Sequence, residues 1–369
     1  MKFKKLFLAM LIIAIAGTGT AMAKRSKSKK SKDLPKSINP YVKIQADFGY
    51  LYQDADRNKD ADNVDKSDID YYNGLLGTSR LGFNGQVGKV KGNVELGLSS
   101  AGASLRHAYA TYDFGLGTVL MGHTWTPYTA LSSLVRGGNF GIGNGATYDA
   151  RQNQLKVSMF NAYISFMNTD TSMPTSSGIT ADNVDTLLPK TALGYEYKND
   201  FLSVGPGLVF NLAQVAEEDG NFGDLDGEYL LAWMAYVHGK ASFAALTLKF
   251  NLSFAMNPGN LGLNGGDRGA EMNSAGDGFE NTKAIEGFVE AGYDLCFVNL
   301  VAGTAYTWSD NDKWQEKDQE LSVYAQGAIP VEKNVKAVPY INYIEKFKNS
   351  SDVDEGKEIY VGLFGQIDI

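Results

Sequence analysis

The segment ASFAALTLKFNLSFAM (241–256) sets Leu246, Leu248, Phe250, Leu252 and Phe254 on one face and Thr247, Lys249, Asn251 and Ser253 on the other. A helix would scatter these residues around its circumference. An extended strand sorts them into one apolar and one polar side. The pattern recurs in YVKIQADFGYLY (41–52), where Val42, Ile44, Ala46, Phe48, Tyr50 and Tyr52 oppose Lys43, Gln45, Asp47 and Gly49. In TKAIEGFVEAGYDL (282–295), Ile285, Val289, Ala291, Tyr293 and Leu295 oppose Glu286, Glu290 and Asp294. With 41 Gly against 9 Pro, and 20 Tyr and 19 Phe, the composition suits twisted, tightly turned sheet.

A soluble sandwich also alternates, so the connections must decide. Short turns are predicted near Gly85–Gly92, Gly115–Gly117, Asn161, Lys198–Asp200, His238–Lys240, Leu295–Phe297 and Val331–Asn334. Longer polar loops are predicted at 53–74, 99–104, 124–152, 168–189, 217–227, 257–281, 310–317 and 348–356. Seven short turns and eight longer loops, taken in alternation, join sixteen strands. Beyond residue 36 no apolar run reaches the ~18–20 residues of a spanning helix. In hydrocarbon every backbone N–H and C=O needs a partner, so a chain without spanning helices must close into a barrel to enter a membrane. The predicted fold is all-β: a transmembrane, antiparallel, 16-stranded β-barrel. Tyr50, Tyr52, Tyr195, Tyr197, Phe254, Tyr306 and Trp308 fall near predicted strand ends, where interfacial aromatic girdles belong.

The amino terminus reads as an address. Lys2, Lys4 and Lys5 precede the apolar stretch Leu6–Ala16, and Ala21-Met22-Ala23 has the small-x-small form of a signal peptidase site. Residues 1–23 are therefore predicted to be a cleaved signal peptide, 24–40 a basic flexible periplasmic tail, and 41–369 the barrel domain. Lys24–Lys36 holds seven basic residues and one acid, a solvated spacer or a contact for an anionic surface. The rest carries 24 basic against 41 acidic residues, a formal charge near −17. That balance excludes nucleic-acid binding through a basic patch.

Four stretches carry a resemblance. These are SRLGFNGQ (79–86), LRHAYATYDFGLGTVLMGHTWTPY (105–128), YDARQNQLKVSMFNAY (148–163) and the terminal EIYVGLFGQIDI (358–369). In this order they make the body, residues 41–369, resemble the trimeric general porins of Gram-negative outer membranes. The resemblance implies an outer-membrane location and a homotrimer among lipid and lipopolysaccharide. It also implies passive diffusion of small hydrophilic solutes and a third loop folded into the barrel. Two departures stand out. The chain ends in Ile369 where the family has Phe, and the segment matching family strand 5 carries Leu120 and His123 where basic residues are usual.

A diffusion pore needs a polar wall, a constriction and a field. The inward faces offer Lys43, Asp47, Arg80, Lys91, Glu95, Lys249, Glu286, Glu290, Asp294 and Glu320. The stretch matching the third loop is Thr124–Gln152, with Gly137, Gly138, Gly141, Gly143 and Gly145 allowing tight turns. The expected constriction is Arg80, Arg106, Arg136, Asp149 and Arg151, unless Arg151 merely pairs with Asp149. The excess of inward carboxylates predicts a mild cation preference, which basic residues at the constriction would reverse. A sugar-selective pore would need a continuous aromatic ladder, and inward Tyr324, Tyr360 and Phe364 are too dispersed in sequence to make one.

The loop DADRNKDADNVD (54–65) places Asp54, Asp56, Asn58, Asp60, Asp62 and Asp65 at the one-three-five-seven-nine-twelve spacing of a Ca²⁺ loop. Lys59 stands where that loop needs Gly, and Asp65 where it needs a bidentate Glu. The alternative is a solvated acidic loop bridged to lipopolysaccharide by divalent ions; no other cofactor is expected. Cys296, the only cysteine, is read as a small apolar filler at a turn. His107, His123 and His238 fall on three different strands, and no GxSxG or HExxH occurs, so no catalytic site is predicted. Two further readings remain: a surface-structural or adhesive barrel, and a soluble secreted β-protein.

Overall fold

In the computed structural model, which describes residues 36–54, 56, 67–135, 145–169, 184–215, 227–263, 268–273, 275 and 277–369, the alternating segments join one antiparallel sheet. The expected signal peptide, 1–23, and the expected basic tail as far as Pro35 lie outside the described residues. The strands are β1 (Lys36–Gln53), β2 (Asp68–Leu75 and Ser79–Val87), β3 (Val90–Ser99), β4 (Gly102–Asp113), β5 (Gly117–Trp125) and β6 (Arg151–Met159). Then come β7 (Ala162–Met167), β8 (Val184–Tyr195 and Tyr197–Lys198), β9 (Leu202–Val215), β10 (Tyr229–Phe243) and β11 (Leu246–Met256). The last are β12 (Lys283–Asp294), β13 (Asn299–Asp310), β14 (Asp318–Glu332), β15 (Val335–Lys346) and β16 (Lys357–Asp368). Two strands are each built from two segments, so the eighteen paired segments make sixteen barrel strands.

Closure is made by β1 against β16, in register from Lys43 opposite Asp368 to Gln53 opposite Glu358. Ile369 N donates to Val42 O and Val42 N to Ile369 O, both at 2.9 Å, so the ladder runs to the last residue. With no edge left, the backbone groups are satisfied within the wall. Among the described residues no helix is long and apolar enough to cross a membrane.

The predicted faces hold. Phe48, Tyr50, Leu248, Leu252, Phe254, Ile285, Val289 and Tyr293 are exposed on the outer wall, while Gln45, Asp47, Asn251, Ser253, Glu286 and Glu290 are buried inside. Outer aromatics gather near both strand ends. Tyr50, Tyr71, Tyr229, Phe254 and Tyr306 lie toward the long loops; Phe160, Tyr195, Tyr197, Phe201, Phe243 and Tyr293 lie toward the short turns.

Five boundaries differ from the sequence reading, two of them because β2 already begins at Asp68 and β8 at Val184, inside the loops expected at 53–74 and 168–189. No turn occurs at His238–Lys240; β10 runs on to Phe243 and turns at Ala244–Ala245. Gly239 lies inside the strand opposite Phe250, so this glycine is a ladder position and not a break. The connection at 99–104 is a two-residue turn, Ser100–Ala101, and not a long loop. β1 begins at Lys36, before the alternation becomes visible at Tyr41. At the short-turn end of the barrel, Phe160 (φ 51) and Asn161 (φ 66) both take positive φ, the geometry of a tight two-residue hairpin.

The inner wall has a repeated device. Inward tyrosines sit directly opposite glycines in the ladder: Tyr72 with Gly49, Tyr163 with Gly194, Tyr236 with Gly207, Tyr324 with Gly303, and Tyr340 with Gly362. Each ring lies over its glycine; a methyl group on Gly303 would fall 2.6 Å from the Tyr324 ring. Rings held flat along the wall contribute apolar contact without projecting across the lumen.

Candidate functional site

The site begins at a β-bulge. Glu95 of β3 pairs with His107 of β4, but the next pair is Leu96 with Leu105, which leaves Arg106 as the extra residue. Strict alternation would send either Arg106 or His107 toward lipid. The bulge aims both inward, and both are buried. Arg106 Nε donates to Glu95 Oε1 at 2.7 Å. Arg80 Nη1 lies 3.6 Å from the same oxygen, and Tyr41 OH donates to Oε2 at 2.7 Å.

Arg151 completes the group from the far end of the third loop. Its Nε donates to His107 Nε2 at 3.4 Å, and its guanidinium lies 3.6 Å over the Trp125 ring. With Nε2 accepting, the imidazole proton belongs on Nδ1, which faces Thr124 Oγ1 at 2.9 Å. Arg80, Arg106 and Arg151 thus stand around one carboxylate, Glu95. Three positive charges against one negative leave a local excess of cation, whatever the chain's overall charge.

The third loop, 126–150, is fastened to the inner wall at several points. Ser133 N donates to Glu290 Oε2 at 2.8 Å, and the Ser133 hydroxyl donates to Glu290 Oε1. Gln326 accepts from Val135 N at 3.0 Å and donates to Ser133 O at 2.7 Å. Asn251 donates to Gly145 O at 2.9 Å and Thr147 Oγ1 at 3.0 Å. The loop therefore crosses the interior from β5 to β12 and β14.

Asp149 is not brought to the arginines. Its Oδ2 accepts from Lys190 Nζ at 2.7 Å and from the Tyr128 hydroxyl, and its Oδ1 accepts from Gln152 at 3.1 Å. Both members of the ion pair are buried. Burial pushes the Asp149 carboxyl above the usual carboxylate range, although the Lys190 charge pulls the other way. Burial, then the Asp149 charge, holds the Tyr128 phenol well above its ordinary value. Asp149 is thus a fastening of the loop. Arg136 lies outside the described residues.

The remaining candidates divide by partner. Glu290 also accepts from Tyr324 OH at 2.6 Å and lies 3.6 Å from Lys249. Glu286 lies 3.0 Å from Arg268, Glu320 3.4 Å from Lys346, and Lys43 3.4 Å from Asp368. Asp47 accepts from Tyr340 at 2.8 Å. Lys91 is exposed at the short-turn end, beside a recess of 340 Å³. Asp294 is exposed and accepts from Cys296 N at 2.9 Å across the turn that ends β12. Cys296 is exposed there with φ 69, so it is a turn residue and not an apolar filler. Most inward carboxylates are thereby matched by a cation or held by donors.

Asp54 and Asp56 border a 410 Å³ recess at the long-loop rim, with Glu345, Asp354, Lys346 and Lys357. Asn58, Asp60, Asp62 and Asp65 of the calcium-spaced set lie outside the described residues. Among the described residues no cluster of three or more metal-binding side chains forms.

Sequence reasoning missed Lys190, His107 and Tyr41, and it missed a second loop that folds inward. Residues Pro258–Leu261 form a buried turn of 3-10 helix, and Leu261 O accepts from Lys190 Nζ at 2.9 Å. Tyr128, Leu261, Val209, Met234 and Tyr236 pack there as one buried cluster. The signal was in LAWMAYV (231–237), which is apolar on both faces, as a strand covered on both sides must be.

No protein-family model matches the sequence, and no curated protein does. Solved structures do. The outer membrane channel DcaP of Acinetobacter baumannii shares 17% identity over 93% of this chain and 100% of its own, with a TM-score of 0.67. OmpT, an outer membrane protein of Vibrio cholerae, shares 16% identity over 93% of this chain and 100% of its own, at 0.56. The anion-selective porin of Comamonas acidovorans shares 15% identity over 90% of this chain and 100% of its own, also at 0.56. At these identities the likeness is one of fold: this chain is a closed antiparallel β-barrel of sixteen strands, built like those structures.

Proposed function

We propose that the chain is an outer-membrane channel for passive diffusion of small hydrophilic solutes and ions, with a preference for anions. The barrel presents apolar residues and two aromatic bands outward and polar groups inward, as a channel in a bilayer requires. The observation that carries the preference is the grouping of Arg80, Arg106 and Arg151 around the single carboxylate of Glu95. The excess of inward acids led the sequence reading toward cations. In the fold Glu286, Glu290 and Glu320 each have a cation within 3.6 Å, and the arginines decide the field. Diffusion asks no covalent chemistry of these residues. The homotrimer and the contact with lipopolysaccharide that the resemblance implies belong to the same proposal, and chemical cross-linking in native membranes tests them.

Reversal potentials across a planar bilayer in a potassium chloride gradient test the main reading. A potential of the anion-selective sign supports it. A cation-selective sign removes the role given to the arginines, and insertion without current removes the channel in favour of a surface-structural barrel.

A further inference from the structure

Below the third loop, toward the short turns, the lumen holds two adjoining hollows that share Ser203 and His238. The first, of 430 Å³, is bounded by Trp125 and Leu131 from the loop side and by Phe288, Lys240 and Lys249 from the wall. The second, of 760 Å³, carries Lys156, Lys198 and Tyr163. In a body with 41 acids and 24 bases, the first hollow has no lining carboxylate among the described residues. Among the described residues the second has one, Glu196, already 3.3 Å from Lys156.

These cations have capacity to spare. Lys249 lies 3.6 Å from Glu290, but that carboxylate is already held by Ser133 N, the Ser133 hydroxyl and Tyr324. An ammonium has three donors, so Lys249 keeps others for the hollow. Lys240 is exposed. The aromatic surfaces are fixed: His238 stacks on Tyr236 at 5.8 Å and 9°, and Lys249 Nζ stands 5.7 Å over the Phe288 ring. Trp125 joins this space to the arginines, since it lines the first hollow and carries Arg151 on its ring.

We propose that the two hollows form a binding station for small organic anions with a flat apolar body, such as aryl carboxylates. The carboxylate meets Lys249 and Lys240, and the body lies against Trp125, Leu131 and Phe288. The station rests on the channel reading: the arginines select the anion, and the station holds it on its way to the short-turn side. An inorganic anion or acetate lacks the body that the aromatic surfaces recognise.

Single-channel recording with benzoate and acetate as the probes tests this. Benzoate is expected to block the chloride current saturably, and at concentrations at least about tenfold below acetate. Lys249→Gln and Lys240→Gln are each expected to weaken the benzoate block by about tenfold, the effect of losing one charge-assisted hydrogen bond. Lys240 is exposed, so its variant folds even if the Lys249 variant does not. Phe288→Leu is expected to narrow the gap between benzoate and acetate. Equal block by the two anions, or a benzoate block indifferent to both lysine variants, overturns the station while the channel stands. Absence of any chloride current overturns the channel and the station together.

Discussion

Arg106 donates to Glu95 at 2.7 Å from the residue that the β3–β4 ladder leaves over. The ion pair and the bulge explain each other. Without the extra residue only one of Arg106 and His107 would face inward, and without Glu95 three guanidinium groups would crowd together unbalanced. Glu95→Gln should therefore raise anion selectivity and lower stability by about 1–3 kcal/mol, since its neutral amide leaves charged donors poorly matched. Reversal potential and unfolding temperature measure the two effects.

Arg80→Ala and Arg151→Ala should both shift selectivity toward cations and change conductance. Among the described residues Arg151 pairs with no carboxylate of its own, and it stacks on Trp125, so its loss acts on the field more than on the fold. Planar-bilayer recording checks this; unchanged conductance and selectivity in both variants would exclude the pair from the path.

The third loop should depend on Lys190. Lys190→Met leaves Asp149 buried, although Tyr128 and Gln152 still donate to it. Removing one partner of a buried pair costs about 3–5 kcal/mol, whereas replacing both with apolar groups is often near neutral. The double variant Lys190→Met with Asp149→Leu should recover part of the loss. Thermal unfolding in detergent gives the ordering, and protease nicking of the loop reports whether its fastening has loosened.

Much of the wall was legible because lipid and water enforce opposite demands on successive residues. That signal is plain in β11, where Thr247, Lys249, Asn251 and Ser253 alternate with apolar residues, and in β12, where Glu286, Glu290 and Asp294 share one face. It fades in β10, because the inward face there is covered by Tyr128 and Leu261 from two loops and no longer meets water. Gly239 looked like a turn because sequence cannot distinguish a glycine that bends the chain from one that makes room for Phe250. The arginines were found by their place in the family's order. Their partner, and the inward turn of His107, depend on one slipped pair in the ladder, which alternation does not report. Asp149 was legible as a loop residue, but its partner Lys190 lies 41 residues further along the chain.

The acidic loop after β1 should stay a solvated loop. A Ca²⁺ loop of that spacing needs a glycine at its sixth position and two oxygens from its twelfth, and Lys59 and Asp65 supply neither. Calorimetric titration with calcium should show no saturable heat. A stoichiometric heat lost in Asp54→Asn with Asp56→Asn would establish a metal site at this rim.

Glycines opposite tyrosines should tolerate no side chain unless the ring leaves. At Gly362 a methyl group would fall 2.7 Å from both the Tyr340 ring and Phe48 O, so the space is closed from two sides. Overpacking of this kind costs about 1–3 kcal/mol, and displacing Tyr340 also breaks its hydrogen bond to Asp47. At Gly303 the nearest atoms belong to the Tyr324 ring, whose hydroxyl donates to the Glu290 that fastens Ser133. Gly303→Val should therefore disturb the third loop as well as the wall. Tyr324→Ala should relieve the steric part of the Gly303→Val defect but not the loss of the bond to Glu290. Unfolding temperatures of the two single variants and the double variant separate the parts: strict additivity would show that ring and glycine do not act on each other, and a recovery in the double variant would show that they do.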